Sequence, residues 1–93
     1  MKKEIESFLF NSDPTIKELS LEKLSEVITY DDLNDFKVLI HSIKMSDLEK
    51  AMILNAVSSK GFQELKPILF EIINNTTDQD VLEEVRAALA NLS

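Results

Sequence analysis

Carboxylates are almost the only reactive side chains in this sequence. Its 93 residues hold 17 Asp and Glu, one His and no Cys. Without cysteine there is no thiolate nucleophile, no redox couple and no sulfur ligand for a metal. His41 is the sole imidazole. On the helix predicted around it, His41 stands beside Ile40 and one turn from Lys37 and Lys44, which reads as a partly exposed surface histidine rather than a base or a ligand. Metal binding would therefore fall to carboxylates alone. Asp31, Asp32 and Asp35 form a cluster, but they lack the EF-hand spacing and its central glycine, and acids in a first helical turn follow from the helix macrodipole. A single glycine cannot build a phosphate-cradling loop, and nothing implies the cleft that paired glycosidase acids need. No catalytic residue, metal site or cofactor is expected.

What the carboxylates do supply is charge. Against ten Lys and Arg they leave a net charge of −7 and a pI near 4.6. Phosphate recognition requires clustered bases, so nucleic acid is disfavoured as a direct ligand; anionic membrane surfaces are disfavoured for the same reason. The natural complement is another protein with a basic surface, although the same charge also serves solubility. Glu18, Glu22 and Glu26 recur every fourth residue and so share one helix face. Like charges at that spacing each cost roughly 0.2–0.5 kcal/mol, with Lys17 and Lys23 placed to relieve part of it. The row reads either as a solvated face or as a ridge awaiting Lys or Arg from a partner.

The elements that must position these groups are helical. One Gly and two Pro are too few for turn-rich β architecture, and 3.6-residue periodicity runs nearly end to end. A first helix is predicted over Lys3–Phe10, with Ile5, Phe8 and Leu9 inward. Asp13 caps a second, with Pro14 at its first position, running to about Thr29 and burying Ile16, Leu19, Leu24, Val27 and Ile28. After a turn at 30–32, a third runs from Leu33 to Lys44 and buries Leu33, Phe36, Leu39, Ile40 and Ile43. Ser46 and Glu49 match a capping box and open a fourth helix to about Lys60, with Leu48, Met52, Ala56 and Val57 inward. Ile53 and Leu54 widen that stripe, which points to burial between neighbours. Gly61 suits a left-handed stop. A fifth helix reads FQELKPILFEIIN, with Pro67 within or just past its first turn and Leu65, Ile68, Leu69, Ile72 and Ile73 inward. Thr77 or Asp78 caps a sixth that buries Val81, Leu82, Val85, Ala88, Leu89 and Leu92. The N-terminal MKKEIESFLFNSD does not read as a signal peptide, and no stretch approaches the ~18 apolar residues of a membrane span, so a cytoplasmic location is expected.

The chain also repeats itself. The third and fifth helices superpose at a shift of 29 (Leu33 on Phe62), pairing Phe36 with Leu65 and Ile40 with Leu69. The fourth and sixth superpose at a shift of 33 (Leu48 on Val81), pairing Met52 with Val85. ELKPILFEII resembles the first helix of short HEAT-like repeats of the phycobilisome-lyase type, in which a proline precedes a Leu-Ile run. DVLEEVRAALANL resembles their second helix, with Val-Arg followed by Ala-Ala-Leu. The first unit departs from the pattern: Ile16-Lys17 replaces Val-Arg, and Ser20 stands where alanine is usual. The resemblance covers Asp13 to Ser93 and is most specific in its last third. It implies an all-α fold, a short right-handed α-solenoid of HEAT-like helical hairpins with about six helices, in one domain over residues 1–93. It would set the second, fourth and sixth helices on a concave surface, with Glu18, Glu22, Glu26, Glu49, Asn55, Glu83 and Glu84 on or near one face. Asp31, Asp32 and Asp35 would lie at the loop edge.

A small acidic chain of this kind is expected to be a non-enzymatic protein-protein interaction module. The concrete form is a small acidic immunity protein or antitoxin that inhibits a basic, nuclease-like toxin, captured through charge steering. The alternative is a regulatory or scaffolding adaptor for another cytosolic protein; a lyase-like role, which similar repeats sometimes serve, is a third class. With only about two and a half repeats, and Val81, Val85 and Leu89 half covered, a homodimer is a further expectation.

Overall fold

The computed structural model describes residues Met1–Ser93. The chain is all-helical, with no strand. Its six helices are α1 (Lys2–Phe10), α2 (Pro14–Val27), α3 (Leu33–Ser42), α4 (Asp47–Ser58), α5 (Lys66–Asn74) and α6 (Gln79–Leu92), with 3-10 turns at Tyr30–Asp32 and Gln63–Leu65. They divide into two compact units, Met1–Met45 and Ser46–Ser93. No helix is long and apolar enough to cross a membrane.

Local chemistry sets most boundaries. The Asp13 carboxylate accepts from the Thr15 amide at 2.9 Å, and Pro14 follows in the first turn. Ser46 and Glu49 exchange hydrogen bonds in a full capping box, the Ser46 amide to Glu49 Oε1 at 2.9 Å and the Glu49 amide to Ser46 Oγ at 3.1 Å. Asp78, not Thr77, caps α6, accepting from the Asp80 amide at 2.9 Å. Gly61 ends α4's tail at φ 78°, the left-handed conformation that a side chain disfavours. Four boundaries differ from expectation, among them the end of α4 at Ser58 rather than near Lys60. α2 stops at Val27 because Ile28 and Thr29 are extended and Thr29 forms a capping box with Asp32. α3 stops at Ser42, where Ile43 turns extended. α5 begins only at Lys66: a helix from Phe62 would place Pro67 where its absent N–H is needed in the ladder, so Gln63–Leu65 forms a 3-10 turn instead.

In the first unit α1 and α2 form an antiparallel hairpin, since Ser7 meets Ser20 and the Phe8 carbonyl meets Lys17. Ile5 and Phe8 of α1, and Leu24 and Ile28 at α2's end, are buried, as are Leu33, Phe36 and Ile40 of α3. In the second unit α4 and α6 run parallel, with Asn55 meeting Glu84 and Ser58 meeting Asn91. α5 returns antiparallel to α6, and Gln63 just before it donates to the Leu92 carbonyl at 2.7 Å. Leu65, Ile68, Leu69 and Ile72 are buried, together with Val81, Val85, Ala88 and Leu92. Leu9, Leu39, Ile43, Ile73, Leu82 and Leu89, expected in core stripes, are only half-buried.

α4 corrects the sequence reading most. Leu48, Met52 and Ala56, expected inward, are half-exposed, whereas Ala51, Ile53, Leu54, Val57 and Ser58 are buried. The run AMILNAV is apolar on more than one arc, so periodicity alone cannot select the arc that finds neighbours. Ile53 and Leu54 are fully buried, as the width of the stripe suggested.

Candidate protein-binding face

The Glu18–Glu22–Glu26 row depends on how α2 is rotated, and that rotation is set by its contacts with α1. Ser20 is buried, its hydroxyl 2.8 Å from the Ser7 hydroxyl and 2.7 Å from the Ile16 carbonyl. With one proton to give, Ser20 donates to the carbonyl and accepts from Ser7. A hydroxyl-sized residue here lets the two helices approach closely. Lys17 turns toward α1 as well: its Nζ donates to the Phe8 carbonyl at 2.6 Å and lies 4.8 Å from the centre of the Phe8 ring. The negative end of α1 and the ring face both favour the ammonium there.

Two consequences follow for the outer face of α2. First, Glu18, Glu22 and Glu26 are all exposed, and Lys17 is committed elsewhere. No carboxylate of the row has a basic nitrogen within 4.0 Å; the only ion pair in the structure joins the N-terminal ammonium to Glu4 at 2.6 Å. That ammonium's hydrogen bond holds the Glu4 carboxyl below the usual carboxylate range. Second, Ile16, Leu19 and Val27, expected in the core, are 40%, 56% and 38% exposed. Leu19 lies next to Glu26 on the helix, whereas Ile16 and Val27 border the buried arc centred on Ser20 and Leu24. The three are one margin of a single wide apolar arc whose middle, at Ser20 and Leu24, is buried. α2 thus presents a carboxylate ridge with Leu19 exposed at its edge.

Two hollows mark this surface. One, of about 280 Å³, runs between α1 and α2 and is lined by Lys3, Ser7, Ile16, Leu19 and Lys23 among others. The second, of about 320 Å³, is lined by Leu19, Glu22, Lys23 and Glu26. Leu19 and Lys23 belong to both; the first hollow carries the bases Lys3 and Lys23 with Glu4, and the glutamates of the row line only the second.

The remaining candidate residues divide by role. Asp31 and Asp35 are exposed at the start of α3. Asp32 accepts from the Thr29 amide at 2.8 Å and its hydroxyl at 3.1 Å, holding the turn. Glu49 is likewise engaged at the start of α4. In the second unit Asn55 donates to Glu84 Oε2 at 2.9 Å, Asn91 Nδ2 lies 3.1 Å from Ser58 Oγ, and Ser58 is fully buried. This polar seam ties α4 to α6; Glu83 beside it is exposed. Asn91 and Ser58 were not singled out in the sequence, and their only signal is polarity on a face otherwise bound for burial. No three His, Asp or Glu side chains come together as a metal-holding group. Compared with family models, curated proteins and solved structures, the chain finds no match.

Proposed function

We propose that this chain is a non-enzymatic protein-binding module that captures a basic partner on the acidic outer face of α2. In its concrete form it is a small acidic immunity protein or antitoxin that neutralises a basic, nuclease-like toxin in the cytoplasm. The observation that carries the reading is the row Glu18, Glu22, Glu26: three exposed carboxylates in line, none neutralised within the chain. Such a row is destabilising to the isolated helix and is relieved when Lys or Arg from a partner arrives. It also steers a basic protein during encounter.

A HEAT-like ancestry fits the second unit. Ser58 and Asn91 are equivalent under the 33-residue repeat and are hydrogen-bonded to each other across parallel α4 and α6. Stacked hairpins would bring their second helices together in this way.

The test is a pull-down from the native host with the wild-type chain and with E18K/E22K/E26K as parallel baits, at low and moderate salt. The reading predicts a basic protein retained by wild type, released as salt rises and absent from the charge-reversed bait. Retention of no basic protein, or capture indifferent to the reversal, contradicts it.

A further inference from the structure

α4 and α6 meet along a line on which size and polarity alternate. α4 places Ala51, Asn55 and Ser58 on it, and α6 places Glu84, Ala88 and Asn91, each set spaced i, i+4 and i+7 and so on one helix face. The helices run parallel, and the bond from Asn91 Nδ2 to Ser58 Oγ at 3.1 Å sets their level. At that offset of 33 residues Ala51 comes opposite Glu84, Asn55 opposite Ala88, and Ser58 opposite Asn91. Each level pairs one small side chain with one longer polar one. Ala51, Ser58 and Ala88 are fully buried, as so close an approach requires. From its own level Asn55 reaches one turn in both directions: its Nδ2 donates to Glu84 Oε2 at 2.9 Å, and its Oδ1 accepts from Asn91 Nδ2 at 3.4 Å. Ser58 gives its proton to the Asn55 carbonyl at 2.6 Å, which leaves its lone pairs for Asn91.

We infer that this seam is a register lock: it fixes the offset of α4 on α6 and, with it, the arc of α4 that is buried. Apolar packing alone does not, because α4 is apolar on more than one arc. A slip of one turn breaks the size match and the polar match together. At an offset of 29 Asn55 would stand against Glu84 and Ser58 against Ala87; at 36 Asn55 would stand against Asn91 and Ala51 against Ala87. Longer side chains then collide while small ones face each other across a gap. At an offset of 29 Asn91 also loses both of its acceptors. A buried polar group left without its partner costs more than the made bond contributes, so the seam excludes wrong packings more than it strengthens the right one. One polar residue in the seam of a coiled coil fixes register in the same way. The lock lies wholly within Ser46–Ser93 and is independent of what binds the outer face of α2.

The test compares the full wild-type chain with N55A/N91A, with E84Q, which keeps an acceptor in the same place, and with E83A, beside the seam and exposed. Each is followed by circular dichroism, amide NMR spectra and hydrogen exchange. N55A/N91A is expected to stay helical while its α4 and α6 amides split or broaden and exchange about tenfold faster or more, those of α1 and α2 being unchanged. E84Q and E83A should match wild type. One sharp set of α4 and α6 amides in N55A/N91A, with the wild-type pattern of nuclear Overhauser contacts from the Ala88 methyl to α4, would overturn the lock. Loss of helix in N55A/N91A would overturn it too, since the seam would then stabilise the pair rather than select its register. The same holds if E84Q behaves as N55A/N91A does, because charge rather than the hydrogen-bonded ladder would then hold the two helices.

Discussion

Replacing Glu22 by lysine should make the isolated chain more stable and its partner binding weaker. Glu22 sits in the middle of the row, with Glu18 one turn before it and Glu26 one turn after. Both are like-charged i,i+4 neighbours, and no base lies within ion-pair distance. The substitution removes two repulsions and creates two attractions, each about 0.2–0.5 kcal/mol, so the sum lies at about 1–2 kcal/mol. The lower figure is expected, because the new lysine precedes Glu26, the less favourable order along a helix. A gain of about 1 kcal/mol corresponds to about 4–8 °C in Tm for a domain of this size. The assay is thermal unfolding by circular dichroism for wild type and E22K at low salt and at 1 M salt, where the Debye length shrinks to about 3 Å and most of the difference should vanish. Destabilisation, no change, or a gain that survives high salt would refute the reasoning. Because stability and binding are expected to move in opposite directions, loss of capture in E22K cannot be ascribed to unfolding.

Three other outcomes are expected. Leu24→Ala should cost about 2–5 kcal/mol, since Leu24 is fully buried, whereas Leu19→Ala on the same helix should stay within about 0.5 kcal/mol; urea titrations of the two variants check the rotation of α2. Gly61→Ala should cost about 1 kcal/mol, because φ 78° disfavours a Cβ, while nothing lies within 4 Å to obstruct it; Gly61→Asn should cost less, again by urea unfolding. Glu4 should titrate below the ordinary value of a glutamate side chain in a carboxyl NMR titration. Its folded-state value is lowered, so its stability contribution is present above the unfolded-state value and fades as pH falls through the folded one; Glu4→Gln should remove that dependence.

What could be read in advance was local. Asp13, Ser46 with Glu49, and Gly61 announce helix ends because cap chemistry acts within a few residues. The glutamate row is equally local, being set by spacing on one helix. Thr29 with Asp32 uses the same geometry with a shorter acid and passed unnoticed. The orientation of α4 could not be read, because it carries apolar residues on more than one arc, and in α2 a single wide arc leaves open which of its margins a distant segment covers. Ser20 shows the difficulty: a polar residue marked the buried side through its contact with Ser7, thirteen positions away. The departure of Ser20 from the repeat pattern was visible in the sequence, but its meaning was not. Lys17 misled for the same reason, since its pairing with Phe8 withdraws it from the row it was expected to relieve.

The central claim is that exposed carboxylates of α2 are the binding determinant. The most direct test is the affinity of the basic protein recovered in the pull-down, purified, for wild type and E18K/E22K/E26K across a range of salt. The account predicts tight binding by wild type that weakens steadily with salt, and binding by the variant that is far weaker and nearly flat with salt. Equal affinities and equal salt slopes for the two proteins would contradict it.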